Sequence, residues 1–543
     1  MREFKTMFIS ILLPAAVILE DIGICSIASY IRQHGYKAKI ISDEFDKIKM
    51  ADIIEYQPDI IGFSTYNQNM EYIKKLIDEI KKLLPNVKIC LGGTTAKFYV
   101  EEIMKGIDAV DYIICGEGEL TFKDLVDCLF EGKPVDMIDG LVFRDDNGTI
   151  IHNKQRAPIP DLDTLPFPAR DILQAHNLKI AILSTARGCT HNCSFCVSHN
   201  YWKYNEKFNW RSRSVASTLD EIEMIYHEHH VKHFWFSDPS FEDPGFNRER
   251  MMGIAQGLLD RKLDVLYIIY ARAEFYKKAD DELMRLLSKS GLTSVFIGFE
   301  SADPNDIKLY GKAASVDDVH NSMHFFKKYD ITIDVGFINF NPYSTFESLR
   351  NNAKFLKQYG YFTCEHYLSK VMIFKGSRIY ECVKRDGLLL EDSYEKLFSY
   401  KFVDERVGML SDFLSRYFMC LRQKTHAFEE ITLLTHLQES RLNSLKRKLD
   451  VHNAEHGKIL SVIDTYDINF KAEQIAFNNK IGDWFTGLID LCENHAEEEM
   501  LIEHTDQYIN IAHLDEFVSK LKRNKMQLLK NIAQVEPKYI YYL

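Results

Sequence analysis

From Met7 to about Phe130, short runs rich in β-branched residues alternate with stretches whose apolar positions recur every three or four residues. The runs are 8–13, 38–41, 60–64, 87–91 and 112–115, and the periodic stretches predict helices over 23–34, 70–84, 100–106 and 119–130. Strand and helix in strict alternation imply a parallel sheet with right-handed crossovers, here a five-stranded doubly wound α/β domain. A turn-rich passage follows, with Asp145-Asp146-Asn147-Gly148 as a hairpin signal and Pro158, Pro160, Pro166 and Pro168 as breakers. Alternation then resumes: strands are expected at 180–184, 210–213, 233–236, 265–270, 294–299 and 332–338, with helices from Leu219, Asn247, Asp280, Val316 and Ser348. Such repeats build an open or closed parallel barrel with its chemistry at the strand carboxyl ends. Beyond Leu388 the pattern is helical, over 404–438, 439–462, 470–494 and 514–532. That region would suit a cap over the barrel mouth that keeps water out, or a partner-binding face.

The 543 residues suffice for about three domains. The expected boundaries are 1–135, a linker at 136–178, 179–390 and 391–543. With 46% hydrophobic and 27% charged residues the composition is that of a soluble globular protein. A formal charge of −12 argues against nucleic acid as the main partner. Eleven cysteines without an even framework of spacings point to reduced thiols and a cytoplasmic setting. The apolar run 7–19 contains Pro14, is too short to span a bilayer and leads into Glu20 and Asp21 rather than a cleavage site; no other run reaches spanning length.

Ligands of doubly wound sheets bind beyond the strand carboxyl ends. There lie Ser64-Thr65-Tyr66-Asn67, Gly92-Gly93-Thr94-Thr95 and Gly116-Glu117-Gly118-Glu119. Glycines at such positions let the backbone approach a bulky ligand or make a tight turn. The first strand-to-helix loop lacks Gly-x-Gly-x-x-Gly, which weakens a dinucleotide reading; flavin remains an option.

The sharpest chemical signal is Arg187-Gly188-Cys189-Thr190-His191-Asn192-Cys193-Ser194-Phe195-Cys196, three cysteines at C-x3-C-x2-C spacing. Four thiolates saturate a 4Fe-4S cluster, whereas three leave one iron open to an outside ligand. A zinc site using these thiols with His191 or His199 is the alternative, although zinc sites usually pair C-x2-C units. Cys25, Cys90, Cys115, Cys128, Cys364, Cys382, Cys420 and Cys492 are scattered and read as small core residues. The cluster His227-Glu228-His229-His230 falls at the end of a polar helix and reads as a solvated terminus.

The cysteine motif resembles that of the radical S-adenosylmethionine (SAM) superfamily, with Cys189, Cys193 and Cys196 at the cluster-ligand positions and Phe195 at the aromatic position before the last ligand. The N-terminal pieces Glu20-Asp21-Ile22-Gly23, Pro58-Asp59-Ile60-Ile61-Gly62-Phe63-Ser64, Leu91-Gly92-Gly93 and Gly116-Glu117-Gly118-Glu119 resemble the cobalamin-binding domain that precedes many radical SAM domains. The resemblance implies a flavodoxin-like cobalamin-binding domain, a radical SAM partial (β/α) barrel and a C-terminal α-helical domain. It implies three cofactors: a 4Fe-4S cluster, SAM and cobalamin. Ser64, Thr65, Gly92, Gly93, Gly116 and Glu117 would line the cobalamin, with no histidine to cobalt because Asp-x-His-x-x-Gly is absent.

Arg272 and Glu300 would meet the SAM carboxylate and ribose, and Asp238 the SAM amino group or the substrate. That pairing suits a guanidinium and a carboxylate acceptor, while barrel-rim salt bridges would use the same residues. Lys312 matches a family position without a derivable role, and Asn341-Pro342-Tyr343-Ser344-Thr345 replaces the usual Gly-x-Pro-Gly-x-Thr turn near the adenine. The implied activity is methyl transfer to an unactivated carbon of an unidentified small molecule or peptide, by way of a 5'-deoxyadenosyl radical and methylcobalamin. An external donor such as flavodoxin or ferredoxin would supply electrons. A non-methylating cyclase, rearrangement or epimerisation enzyme and a cobalamin or iron-sulfur sensor are the competing readings.

Overall fold

The computed structural model describes residues 3–12, 19–204, 210–360, 364–432, 434–435, 438–449 and 453–542. The first strand shows why its neighbourhood folds as it does. Along β1 (Lys5–Leu12), Met7, Ile9 and Ile11 enter one apolar core and Phe8 enters another, so a strand buried on both faces needs helices above and below. Four parallel strands join it: β2 (Lys37–Glu44), β3 (Ile60–Ser64), β4 (Lys88–Gly92) and β5 (Tyr112–Ile114). Two more extend the expected five-stranded sheet. They are β6 (Leu141–Arg144) and β7 (Ile150–His152), the hairpin around Asp145, and both run antiparallel. The sheet order is β2-β1-β3-β4-β5-β6-β7. Its order reverses at β1 and β3, which opens a crevice at their carboxyl ends. Residues 13–18, which follow β1 and hold part of the apolar run with Pro14, lie outside the described residues.

The central strands are β8 (Ile180–Leu183), β9 (Ala186–Arg187), β10 (Arg211–Ser212), β11 (His233–Phe236), β12 (Leu266–Ala271), β13 (Leu292–Glu300) and β14 (Thr332–Phe337). An open parallel sheet, ordered β14-β13-β12-β11-β8, carries the barrel-like part. The run 210–213, expected as a barrel strand, does not join it: β10 pairs antiparallel with β9, Arg211 opposite Arg187. Its alternating arginines are drawn sideways, Arg211 to Glu117 and Arg213 to Glu221, rather than into a sheet.

In the C-terminal region the two helices expected over 439–462 and 470–494 are replaced by Gln438–Lys448 and a 40-residue helix, Ala454–Glu493. Asn453 caps the latter by accepting the Glu455 amide at 2.9 Å, and no glycine or proline breaks it between 458 and 481. This helix packs on Phe346–Tyr359 of the central unit, where Lys357 meets Asp483 at 2.6 Å. Central sheet and C-terminal helices share one apolar core running from Leu173 to Tyr539. Helix Gln438–Lys448 covers the amino ends of the central strands, with Arg447 donating to Leu292 O at 2.7 Å, the end opposite the barrel mouth. Among the described residues no helix is long and apolar enough to cross a membrane. Cys25, Cys90 and Cys492 are buried as expected, but Cys420 is exposed; the Cys364 side chain lies outside the described residues.

Candidate functional site

A cavity of about 320 Å³ opens at the switch point of the N-terminal sheet. Ser64, Gly92, Gly93, Gly116 and Glu117 line it, as do Tyr66 and Gly23, and its far wall comes from the central unit through Ser184, Arg187, Tyr201 and Trp202. The glycines have separate causes. A Cβ on Gly92 would project into open space, so its absence widens the cavity; Gly93, at φ +95, would drive a Cβ to 2.8 Å from Thr65 O. This space suits an arm of a large cofactor, whose bulk would extend toward the domain boundary, so the residues fit the cobalamin that the sequence implies. Thr65 does not line the cavity. Its hydroxyl donates to Gly92 O at 2.7 Å and accepts from the Ala96 amide at 2.9 Å, pinning the ends of β3 and β4 together. Asp21 caps helix Ile22–Gln33 beside the same crevice, and burial raises its pKa above the usual carboxylate range.

Glu117 and Glu119 turn toward the other unit. Arg187, two residues before Cys189, meets Glu117 at 2.7 Å and Glu119 at 2.5 Å, and Arg211 meets Glu117 at 3.0 Å. Burial alone would raise Glu119; the Arg187 charge and its hydrogen bonds, helped by the Ser26 hydroxyl, hold it below the usual range. A second buried ladder lies between the same units: Arg170 contacts Glu20 at 2.8 Å and Glu221 at 2.6 Å, and Arg213 also pairs with Glu221. Buried charges are tolerable only when so paired. The two ladders fix the N-terminal crevice against the cysteine loop.

That loop is anchored from three sides. Thr190 donates its amide and hydroxyl to Asp243 at 3.1 and 2.7 Å, Ser194 donates its amide to Tyr310 O at 2.8 Å, and the Ile379 amide donates to Ser194 O at 2.8 Å. Cys189, Cys193 and Cys196 are half-buried on it. Burial pushes the Cys189 thiol up to about 12 and raises Cys196, so a metal centre there would displace protons. Among the described residues no three His, Cys, Asp or Glu side chains converge on one ion-sized point, and three thiols that each meet a different iron need no such point. The donor set of three thiols with no fourth protein thiol in the loop fits a cluster with one open iron. Phe195 stacks edge-on against Tyr310 at 5.5 Å.

Around this loop the strand ends deliver the charged residues. Glu300 sits at φ +69, after a register shift in β13 between Gly298 and Glu300, and its carboxylate meets Lys312 at 3.0 Å. Lys312 also donates to Gly298 O at 3.0 Å and lies 5.6 Å over the Phe195 ring, giving this position a role that sequence reasoning did not find. A Cβ on Gly298 would come within 2.4 Å of the Glu300 carboxylate, so any side chain there would displace the Glu300–Lys312 pair. Arg272 is held at 2.7 Å by Asp243, the residue that also grips Thr190, and its amide donates to Glu242 at 2.9 Å. One Glu242 oxygen, Oε2, is buried with no hydrogen-bond partner.

Asp238 stands apart from the other candidates. Its carboxylate accepts the Thr185 and Ala186 amides at 2.7 and 2.8 Å and pairs with Arg250 at 3.1 Å, which occupies it in holding the β8–β9 turn instead of leaving it for a ligand. Asn341, in the turn that departs from the family pattern, donates to Asp306 at 2.9 Å and Tyr310 at 3.0 Å. His229 and His230 end the helix Val215–Glu228, with His230 exposed.

Two family models match this chain, the B12 binding domain over residues 10–126 and the radical SAM superfamily over 183–356. An uncharacterized methyltransferase of Pyrococcus horikoshii is 27% identical over 75% of this chain and 86% of its own. The anaerobic magnesium-protoporphyrin IX monomethyl ester cyclase of Rubrivivax gelatinosus is 26% identical over 61% of each chain. Among solved structures, the cobalamin-dependent S-adenosylmethionine radical enzyme OxsB, with aqua-cobalamin and S-adenosylmethionine bound, matches at TM-score 0.66 and 19% identity, covering 99% of this chain and 81% of that one. The radical S-adenosylmethionine methyltransferase TsrM from Kitasatospora setae, with cobalamin and a [4Fe-4S] cluster bound, matches at TM-score 0.56 and 15% identity over 71% of this chain and 75% of that one.

Proposed function

The chain belongs to the cobalamin-binding radical SAM enzymes, and we propose that it methylates an unactivated carbon of a small molecule or peptide. One observation carries this reading: the crevice at the B12-domain switch point is walled by Arg187 and Tyr201, residues that flank the three-cysteine loop. Two cofactor sites thus share one partition, as transfer of a group between their ligands requires. When bound, the cluster with SAM supplies a 5'-deoxyadenosyl radical for hydrogen abstraction and the cobalamin supplies the methyl group; the cofactors carry that chemistry.

The chain's part is to hold and orient. Cys189, Cys193 and Cys196 would hold the cluster. Arg272, already set by Asp243, offers its remaining donors to the SAM carboxylate. Glu300, at φ +69 and steadied by Lys312, would accept from the ribose hydroxyls. Ser64, Gly92, Gly93 and Gly116 admit the cobalamin arm, while Glu117 braces Arg187. The methyltransferase name of the Pyrococcus relative supports transfer over cyclisation. An electron donor of flavodoxin or ferredoxin type would reduce the cluster.

The test is anaerobic reconstitution with iron, sulfide and hydroxocobalamin, followed by SAM and reductant. Retained cobalamin with formation of both 5'-deoxyadenosine and S-adenosylhomocysteine is the expected result. Deoxyadenosine without S-adenosylhomocysteine would replace methylation with a non-methylating radical reaction, and SAM binding without consumption would indicate a sensor.

A further inference from the structure

The strands that deliver Arg272 and Glu300 belong to a sheet whose two faces differ. Along β12 the alternation is strict: Tyr267, Ile269 and Ala271 are buried in the core, while Ile268 and Tyr270 on the opposite face keep part of their surface exposed. β11, β13 and β14 repeat it, with Trp235, Phe296 and Asp334 on the partly exposed face. Helices cover the buried face of such a sheet, so the other face is the hollow of the partial barrel.

Four side chains come together there. Trp235 stacks on Tyr270 at 5.8 Å, and Tyr270 meets Phe296 edge-on at 5.1 Å. Strand register sets Phe296 between Tyr270 on one side and Asp334 on the other. Gly336 makes room for the Phe296 ring, since a Cβ there would lie 3.0 Å from it. Asp334 is near enough for its charge, after burial, to help push the Tyr270 hydroxyl up to about 12. The Asp334 carboxylate accepts the neighbouring Val335 amide at 3.0 Å, and among the described residues no lysine, arginine or histidine pairs with it. The acids at the rim above are engaged: Glu300 by Lys312, and Glu242 and Asp243 by Arg272. Arg272 lies two residues beyond Tyr270, so at about 3.3 Å per residue the group sits roughly 7 Å below the residues proposed for SAM.

A carboxylate beside three aromatic side chains attracts a cation twice over, through its charge and through the negative ring faces. Building on the radical SAM reading, we infer that Asp334, with Trp235, Tyr270 and Phe296, selects a substrate that carries a protonated amine and seats it in the barrel hollow beneath SAM. The ammonium donates to Asp334 while its carbon substituents rest on the rings, which leaves the remainder of the molecule directed toward the strand carboxyl ends. An anionic group in the same place would meet the acid with like charge, and a neutral one would gain only the ring contacts. SAM is itself a cation and is the other occupant this acid could serve.

The test uses the full-length protein reconstituted with cluster and cobalamin, with SAM present and reductant withheld, and reads binding of benzylammonium and of benzyl alcohol by saturation-transfer NMR. Saturable benzylammonium binding is expected, roughly tenfold or more tighter than the alcohol and weakened by about the same factor in Asp334→Asn, with the alcohol unaffected. SAM affinity, measured by equilibrium dialysis, should be the same in Asp334→Asn as in wild type; a parallel loss would assign the acid to SAM and overturn the inference. A thermal melt confirms folding, and Asp334→Ser, which keeps a hydroxyl to accept the Val335 amide, serves if the first variant does not fold. Equal binding of amine and alcohol, or equal amine affinity in wild type and the folded variant, also overturns it. The probe needs no turnover, so a protein that binds it as expected yet forms no S-adenosylhomocysteine refutes methylation and supports the amine site.

Discussion

Arg187→Gln isolates the contact between the cofactor crevice and the cysteine loop. The wild-type guanidinium is 15% exposed, and Glu117 and Glu119 are 7% and 4% exposed. Removing it leaves Glu117 with Arg211 and the Ile159 amide, but among the described residues leaves Glu119 with no opposing charge in direct contact, only the Ser26 hydroxyl and backbone. Stranding one partner of a buried pair costs about 3–5 kcal/mol. At about 2–4 °C per kcal/mol for a domain of this size, the melting temperature should fall by roughly 10 °C. Adding Glu119→Gln should recover part of that loss, because the penalty belongs to the unpaired charge, with a coupling of about 0.5–3 kcal/mol.

The pH dependence has a definite sign. Glu119 lies below its unfolded value of 4.5, so its contribution is full above that pH and is lost as pH falls through the lower folded value. The gap between wild type and Arg187→Gln should therefore be widest near neutrality and narrow in acid. Differential scanning fluorimetry of the anaerobic protein from pH 3 to 8 measures both. A neutral-pH loss below about 1 kcal/mol, with no rescue by Glu119→Gln, would mean that the pair behaves as a solvated surface bridge and would refute the argument.

Gly92→Leu should leave the fold intact, since a Cβ there meets nothing within 4 Å, yet fill the crevice; the folded variant should lose cobalamin on gel filtration while retaining iron. Glu300→Gln should weaken SAM binding by roughly 10–100-fold, the loss of a charge-assisted hydrogen bond, read by equilibrium dialysis of the reconstituted protein. Asp238→Asn should lower the melting temperature without changing SAM affinity, because its oxygens are engaged by Thr185, Ala186 and Arg250. Replacing Cys189, Cys193 and Cys196 together by serine should abolish the visible absorbance of the cluster and leave cobalamin binding in place.

Where residues act through local spacing, they were legible. The three cysteines sit within eight positions of one another, and the glycines at the ends of β4 and β5 line the crevice. Where they act through partners, they were not. Asp238 and Glu300 look alike as acids at the carboxyl ends of central strands, but one is engaged by backbone amides and the other by Lys312. Lys312 had no derivable role because its partners Glu300 and Phe195 lie 12 and 117 positions away. Thr65 follows Ser64 directly, yet only Ser64 lines the crevice; the Thr65 side chain is occupied by Gly92 and Ala96.

The amino-acid sequence by itself determined the alternation of strands and helices, the parallel pairing of the central sheet and of β1 to β5, and the spacing of the three thiols proposed for the cluster. Periodicity, turn chemistry and ligand spacing are local quantities that need no knowledge of what lies across the fold. Tertiary structure alone decided that the hairpin Leu141–His152 would extend the N-terminal sheet, that 210–213 would leave the central one, and that Glu117 and Glu119 would face Arg187. Hydrogen bonds and charge pairs between distant segments form only when the chain has closed, and their geometry belongs to the packing of whole elements rather than to any stretch of residues.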